Sequence, residues 1–206
     1  GGIVLCGGRS SRMGRPKAWL PFGDEVLLQR VVRTLLDVVE PVVVVAAPGQ
    51  DLPVLPAGVA VARDEREYLG PLNGLAAGLE ELEGLADIAY LSSCDVPFLR
   101  PGFVRRVVER LGDADVCLPE VGGYKHPLAG AYRATVLPAV RALLAANQLR
   151  PVYLTEVRPT RILREVELLD VDPNLDSLRN LNTPEEYAAA LEEYARRTGH
   201  APGGPA

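Results

Sequence analysis

An α/β fold on a mainly parallel sheet is what this sequence predicts, and three observations carry the prediction. Apolar runs and helically spaced apolar patterns alternate from the first residue onward. The run PVVVVAA at 41–47 is β-branched and apolar on both faces, which suits a strand covered by helices on both sides. The opening strand then empties into LCGGRSSRMGRPK at 5–17, a glycine-rich and cationic stretch that buries little and must be justified by something it holds.

Each element follows from its own pattern. GGIVLC (1–6) reads as a short buried strand. EVLLQRVVRTLLDVV (25–39) places apolar residues at helical spacing, with Arg30, Arg33 and Asp37 turned to water. Strands are expected at 41–47, 59–63 and 87–93, and helices at 72–84 and 102–111. DVCLPE (115–120) and PLAGAYR (127–133) read as strands, 134–147 as a helix, and a further strand falls within 160–170. The stretch 112–160 leaves simple strand–helix order, so part of the sheet is expected to be antiparallel there. TPEEYAAALEEYARR (183–197) closes the fold as a helix, with Thr183 as N-cap, Pro184 at the first helical position and Glu185 and Glu186 in the first turn. With no internal repeat and no linker, residues 1–197 form one expected domain, and the Gly/Pro-rich 198–206 a disordered tail.

Bulk properties narrow the function. The 206 residues are 48% apolar, enough for one proper core, and the net charge of -5 argues against blanket electrostatic binding of nucleic acid. No apolar run is long enough to span a bilayer, and the N-terminus reads as a core strand rather than a signal peptide. Cys6, Cys94 and Cys117 are widely spaced, without C-x-x-C and with only 2 histidines in the chain, so neither a disulfide framework nor a zinc site is expected. A cytoplasmic protein with reduced thiols is the expectation. Among the 22 basic residues only Lys17 and Lys125 are lysines, which singles them out as compact charges suited to phosphate.

The first loop is built for an anion. Gly7 and Gly8 let the backbone approach a ligand without a Cβ in the way, and free N–H groups can converge there. Ser10 and Ser11 can donate hydroxyl hydrogen bonds, Arg12 offers a planar fork for phosphate oxygens, and Lys17 closes the stretch with a point charge. Arg9, Arg12, Arg15 and Lys17 fall within nine residues of an otherwise acidic chain, which predicts a polyanionic ligand. Two common loops do not fit. A P-loop needs Gly-Lys-Ser/Thr, where this chain has Gly14-Arg15-Pro16-Lys17; a dinucleotide fingerprint needs an acid ending the second strand, where this chain has Ala46-Ala47-Pro48-Gly49-Gln50.

The pattern that does fit is L-x-G-G-x-S-x-R-M-G-x-x-K, filled by Leu5, Gly7, Gly8, Ser10, Arg12, Met13, Gly14 and Lys17. It resembles the signature loop of nucleotidyltransferases, and more narrowly that of the molybdenum cofactor guanylyltransferase (MobA) family. The resemblance implies a Rossmann-like three-layer α/β/α fold whose first loop wraps the triphosphate of GTP. Lys17 and Arg12 would neutralise charge around the α-phosphate. It extends to Cys94-Asp95-Val96-Pro97-Phe98, similar to the family's metal-binding segment. An Asp at a strand tip is also what Mg²⁺ needs, since the ion takes few carboxylates, several waters and phosphate oxygens; an Asp simply opening a turn before proline is the plain alternative.

Further along, the segment Gly70-Pro71-Leu72-Asn73-Gly74-Leu75 resembles the family's G-P-L-x-G-L and is expected as a turn, with Asp64, on the guanine and ribose side. The family often carries Asn at the second strand end, where this chain has Ala46-Ala47-Pro48. Lys125-His126-Pro127-Leu128 resembles the segment facing the acceptor, and His126 either binds the acceptor phosphate or caps a turn. Asn180-Leu181-Asn182-Thr183-Pro184-Glu185-Glu186 matches N-x-N-T-P-E-E. Its two amides stand before a helix whose orphan N–H groups favour anions; a role near the metal or the acceptor phosphate is expected, with a plain helix-entry turn residue as the alternative for Asn182.

By resemblance, then, Lys17, Arg12 and Asp95 are the catalytic set, with Asp95 holding Mg²⁺. Leu5, Gly7, Gly8, Lys17, Asp64, Gly70, Pro71, Asp95, Asn180 and Asn182 are the binding set. The expected reaction moves GMP from GTP to the terminal phosphate of molybdenum-loaded molybdopterin, with transient contact to proteins of molybdoenzyme maturation. Another nucleotidyltransferase, for molybdopterin with CTP or for a sugar or cobinamide phosphate, shares the loop and Asp95. A non-catalytic nucleotide-binding domain is the reading from outside the enzymes.

Overall fold

Strand β1 (Gly2–Leu5) occupies the middle of the sheet, because its side chains Ile3 and Val4 are both fully buried, one toward each face. The computed structural model describes residues 1–7, 15–63 and 70–199. After β1 the chain runs through a two-strand hairpin, β2 (Pro21–Phe22) and β3 (Glu25–Val26), into α1 (Leu27–Leu36). Next come β4 (Val42–Ala46), β5 (Ala60–Arg63), α2 (Gly70–Glu81), β6 (Ile88–Ser93) and α3 (Pro101–Glu109). Then follow β7 (Val116–Val121), β8 (Tyr124–Lys125), β9 (Ala129–Arg133), α4 (Leu137–Ala145), α5 (Leu154–Val157), β10 (Thr160–Arg164) and α6 (Pro184–Thr198).

Among the described residues the main sheet runs β10-β7-β9-β6-β1-β4-β5, with β8 paired on β7. The pairs β1–β4, β1–β6, β4–β5 and β7–β10 are parallel, whereas β9 is antiparallel to both β6 and β7. The departure expected within 112–160 is therefore β9, together with the β7–β8 hairpin.

Two cores lie on the two faces of this sheet, which makes the fold a three-layer α/β/α sandwich. On one face α1 and α3 bring Leu28, Val31, Val32, Phe103 and Val107 against Val4, Val42 and Val44. On the other, α2 and α4 bring Leu72, Leu75, Leu79 and Val140 against Ile3, Val43 and Val45. Odd and even positions of β4 thus serve different cores, which is why the strand is apolar throughout. A third cluster joins Leu20, Phe22 and Leu27 to Phe98, Leu181 and Ala190, so the hairpin, the turn after β6 and the last helix close on one another.

Several expectations need adjustment. The helix predicted from 25 starts at Leu27, because Pro21–Phe22 and Glu25–Val26 pair as a hairpin first. The expected turn at Gly70–Gly74 is instead the first part of α2, a helix that the apolar spacing predicts from 72. Helix α6 runs through Thr198, where the tail is expected to start, and Gly199 caps it in the left-handed region at φ 73°; residues 200–206 lie outside the described residues. No helix among the described residues is long and apolar enough to cross a membrane.

Candidate active site

Parallel pairing brings the ends of β1 and β6 side by side. Leu5 is in register with Ser93, and the Cys94 N–H donates to the Leu5 carbonyl at 3.0 Å, so Asp95 stands beside the start of the first loop. At the far end of that loop, Pro16 leads into a short 3₁₀ turn over Lys17–Trp19. From there Lys17 Nζ donates to Asp95 Oδ2 at 2.6 Å and to Asn182 Oδ1 at 3.0 Å. The Asp95 side chain is only 9% exposed and that of Lys17 18%, so this pair is largely out of water, where Coulomb attraction is strong and an unpaired charge would be costly.

The second carboxylate oxygen is held just as firmly. Asp95 Oδ1 accepts from Ser93 Oγ at 2.6 Å and from Asn180 Nδ2 at 2.7 Å, and Asn180 Nδ2 also reaches Ser93 Oγ at 3.0 Å. The Asp95 carbonyl accepts from Leu181 N–H at 3.0 Å, which fixes the 180–182 segment along the turn after β6. The carboxylate is thereby locked in one orientation, with its plane set by neutral donors on one oxygen and a cation on the other.

Behind this network a charged cluster anchors the same segment. Arg100 pairs with the buried Asp172 at 3.1 Å and with Asp176 at 3.1 Å, and Arg197 from α6 meets Asp176 at 2.9 Å. Asp172 accepts from Ser177 N–H at 2.7 Å and Ser177 Oγ accepts from Arg100 N–H at 3.1 Å, so the chain reaches Asn180 along a fixed path.

At the α6 N-terminus a capping box takes up the first donors. Glu186 N–H donates to Thr183 Oγ1 at 3.2 Å, and the Glu186 carboxylate accepts from Asn182 N–H at 2.6 Å and Thr183 N–H at 3.1 Å. A capping box therefore occupies these donors and puts a carboxylate where an anion would have to sit. Asn180 and Asn182 act through their side-chain amides, on Asp95 and Lys17, and not through the helix end.

Of the residues picked out from sequence, Lys17, Asp95, Asn180 and Asn182 meet in one hydrogen-bonded group, with Leu5 alongside. Gly7 backs onto the turn after β4, where a Cβ would stand 3.2 Å from Ala47 N. Gly70 opens α2 at φ 75°, and a Cβ there would come within 2.9 Å of the Leu149 carbonyl oxygen, so both conformation and space call for glycine. Pro71 lines a cavity of about 240 Å³ together with Ser93, Asn180, Lys125, His126 and Arg150. Gly8, Ser10, Ser11, Arg12 and Asp64 lie outside the described residues.

His126 N–H donates to the Pro119 carbonyl, and burial holds the imidazole pKa below its ordinary value, which keeps it neutral near pH 7. Burial pushes the Cys6 thiol up to about 12 and the Cys94 thiol well up, with Asp95 adding to the latter, so both pack as neutral thiols. Ser93 was missed from sequence; its only signal there is a hydroxyl ending the apolar run IAYLSS. Among the described residues no three His, Cys, Asp or Glu side chains group to hold a metal ion. Asp95 offers one carboxylate, which fits an ion completed by waters and phosphate oxygens and not one caged by protein.

Comparison with known proteins decides the family: residues 2–160 match the MobA-like NTP transferase domain. The chain belongs to the MobA-like NTP transferase family. It is 37% identical over 190 residues to a Mycobacterium tuberculosis protein named "Probable molybdenum cofactor guanylyltransferase", covering 89% of this chain and 92% of that one. In fold it is similar to molybdopterin-guanine dinucleotide biosynthesis protein A from Archaeoglobus fulgidus, at a TM-score of 0.78 and 18% identity over 95% of this chain and 98% of that chain. The same fold, at a TM-score of 0.69 and 18% identity over 95% and 98% of the two chains, carries 2-C-methyl-D-erythritol 4-phosphate cytidylyltransferase from Thermus thermophilus. For a MobA-like chain, membership therefore fixes nucleotidyl transfer as the chemistry, while the fold by itself leaves base and acceptor open.

Proposed function

We propose that this chain transfers GMP from GTP to the terminal phosphate of molybdenum-loaded molybdopterin, forming the guanine dinucleotide cofactor and pyrophosphate. The observation that carries the reading is the junction of Lys17, Asp95, Asn180 and Asn182, in which a cation from the exit of the glycine loop meets a carboxylate at the tip of β6. The name of its 37%-identical relative supports the guanylyl and molybdenum parts.

In this mechanism the triphosphate lies over residues 7–17. Arg12 and Lys17 offset charge on the α-phosphate, and Asp64 and the start of α2 flank the base and ribose. An acceptor phosphate oxygen attacks the α-phosphorus, the bond to the bridging oxygen of the β-phosphate breaks, and pyrophosphate leaves with the electron pair. A phosphate monoester is already anionic near neutral pH, so no strong base is required, and positioning with charge neutralisation supplies the rate. Asp95 is the residue that would hold Mg²⁺, whose chemistry here is to neutralise phosphate oxygens. The carboxylate orientation set by Ser93 and Asn180 serves that task.

The test is pyrophosphate release with GTP, CTP, UTP and ATP in turn, each with Mg²⁺ and loaded molybdopterin. The reading expects release with GTP well above the others. Preference for CTP or UTP would move the chain to another transferase of the same fold, and GTP binding without release would make it a non-catalytic nucleotide-binding domain.

A further inference from the structure

The turn after β4 is held by its own Gln50 and by side chains from two other segments, Arg63 and Trp19. Gln50 spans it: Oε1 accepts from Ala47 N–H at 3.0 Å, and Nε2 donates to the Cys6 carbonyl at 3.1 Å, where β1 runs into the glycine loop. Arg63, at the end of β5, donates from Nη1 to the carbonyls of Ala47 at 3.1 Å and Gln50 at 2.7 Å. Trp19, two residues beyond Lys17, donates Nε1–H to the Asp51 carbonyl at 3.0 Å. Gly7 presses on the same place, since a Cβ on it would stand 3.2 Å from the Ala47 nitrogen that Gln50 already satisfies.

We infer that Gln50 and Arg63 are positioning residues of the transfer site. They lock the 47–51 turn between Cys6, just past the end of β1, and Arg63, the last residue of β5, so that these two strand ends keep one separation. The inference rests on the guanylyl-transfer reading. Its physical ground is that β1 fixes the chain only as far as Cys6, after which two glycines offer no side chain to pack. The amide from Gln50 on the Cys6 carbonyl then sets the direction in which the loop leaves the strand. Arg63 has no carboxylate partner among the described residues. Its donors close the turn from the other side. At this strand end the chain carries Ala46-Ala47-Pro48 and no polar side chain until Gln50, so orientation passes from the tip of the strand to the residue that closes the turn.

Lys17 is anchored independently by Asp95 and Asn182, so the charge that attracts a triphosphate survives loss of Gln50. What is lost is alignment of the α-phosphorus, which acts on kcat more than on KM.

The experiment is steady-state pyrophosphate release by the full chain with GTP, Mg²⁺ and loaded molybdopterin, comparing wild type with Gln50→Ala, Gln50→Glu and Arg63→Ala. Thermal melts and the fluorescence of the single tryptophan, Trp19, report folding. Gln50→Ala is expected to lower kcat about 10- to 100-fold while the KM for GTP stays within about threefold. Gln50→Glu keeps the acceptor for Ala47 N–H but loses the donor for Cys6, so it is expected to match Gln50→Ala. Arg63→Ala, at an exposed site, shows the same split to a smaller degree and carries the test alone should Gln50→Ala not fold. A folded Gln50→Ala or Arg63→Ala with kcat within about twofold of wild type overturns the inference, as does a loss that tracks only the folded fraction. If wild type itself prefers another triphosphate, the guanylyl reading fails, and the same variants read positioning on the nucleotide it does use.

Discussion

Lys17 Nζ lies 2.6 Å from Asp95 Oδ2 and 3.0 Å from Asn182 Oδ1, so one ammonium joins segments 78 and 165 residues away in the chain. A cation and a carboxylate both nearly out of water are costly to hold unless paired. Asp95 stands at the tip of β6 beside the end of β1, and we propose that this pair is the machinery of the site.

Asp95→Asn keeps the shape and the acceptor for Ser93 and Asn180, but it sets an amide against Lys17 and removes the charge. We predict a fall in kcat of about 10²–10³-fold, with a stability loss of about 3 kcal/mol because the Lys17 charge is left without its carboxylate. Lys17→Ala should lose activity to a similar degree. Pyrophosphate release and a thermal melt on the same samples check both, and near-normal turnover of Asp95→Asn would remove Asp95 from its role. Chelation by EDTA should abolish wild-type turnover and added Mg²⁺ restore it.

Gly78 lies inside α2, where alanine would ordinarily gain about 1 kcal/mol of helix propensity. The space argues the other way, because a Cβ there would sit 2.6 Å from Ile3 Cγ2, and Ile3 is fully buried in the central strand. Overpacking of a core by one methyl costs about 1–3 kcal/mol, so the clash outweighs the propensity. Gly78→Ala is therefore expected to be net destabilising in urea titration, whereas a raised midpoint would show that helix and sheet can part without penalty.

Asp176 ties Arg100 to Arg197 and thereby fixes the chain leading to Asn180. Burial alone would raise its pKa, but hydrogen bonds and charge from Arg197 and Arg100 outweigh that and hold it below the ordinary carboxylate value. A depressed carboxylate contributes stability that is present above the unfolded value of about 4 and is lost as pH falls through the folded one. Asp176→Asn should thus cost about 1–2 kcal/mol at pH 7, since its arginine partners are more than a third exposed, and flatten the stability curve below about pH 4. Equal acid slopes for the two proteins in a pH series of melts would count against this.

Much of this site was legible in the sequence because its parts sit at strand ends. The spacing from Leu5 to Lys17 and the Asp at the end of IAYLSSCD each mark a loop after a parallel strand, and the sheet order then brings those loops together. What was not legible depended on side-chain contact. The Thr183–Glu186 pattern already spelled a capping box, yet that it would occupy the donors next to Asn182 needed the geometry. Gly74 reads as a turn residue beside Gly70 and Pro71, but its reason lies in packing: a Cβ would stand 2.8 Å from Leu5 Cδ2, so the glycine lets α2 approach β1. Gln50 follows no periodicity, and a hydrogen bond across 44 residues to Cys6 leaves no trace in local sequence.

The most direct measurement incubates the protein with GTP, Mg²⁺ and molybdenum-loaded molybdopterin and weighs the product by mass spectrometry, with Asp95→Asn alongside. The account predicts a molybdopterin species heavier by one GMP unit and a matching release of pyrophosphate from wild type, with both nearly absent in the variant. No GMP adduct from wild type, or an adduct formed equally well by Asp95→Asn, would contradict it.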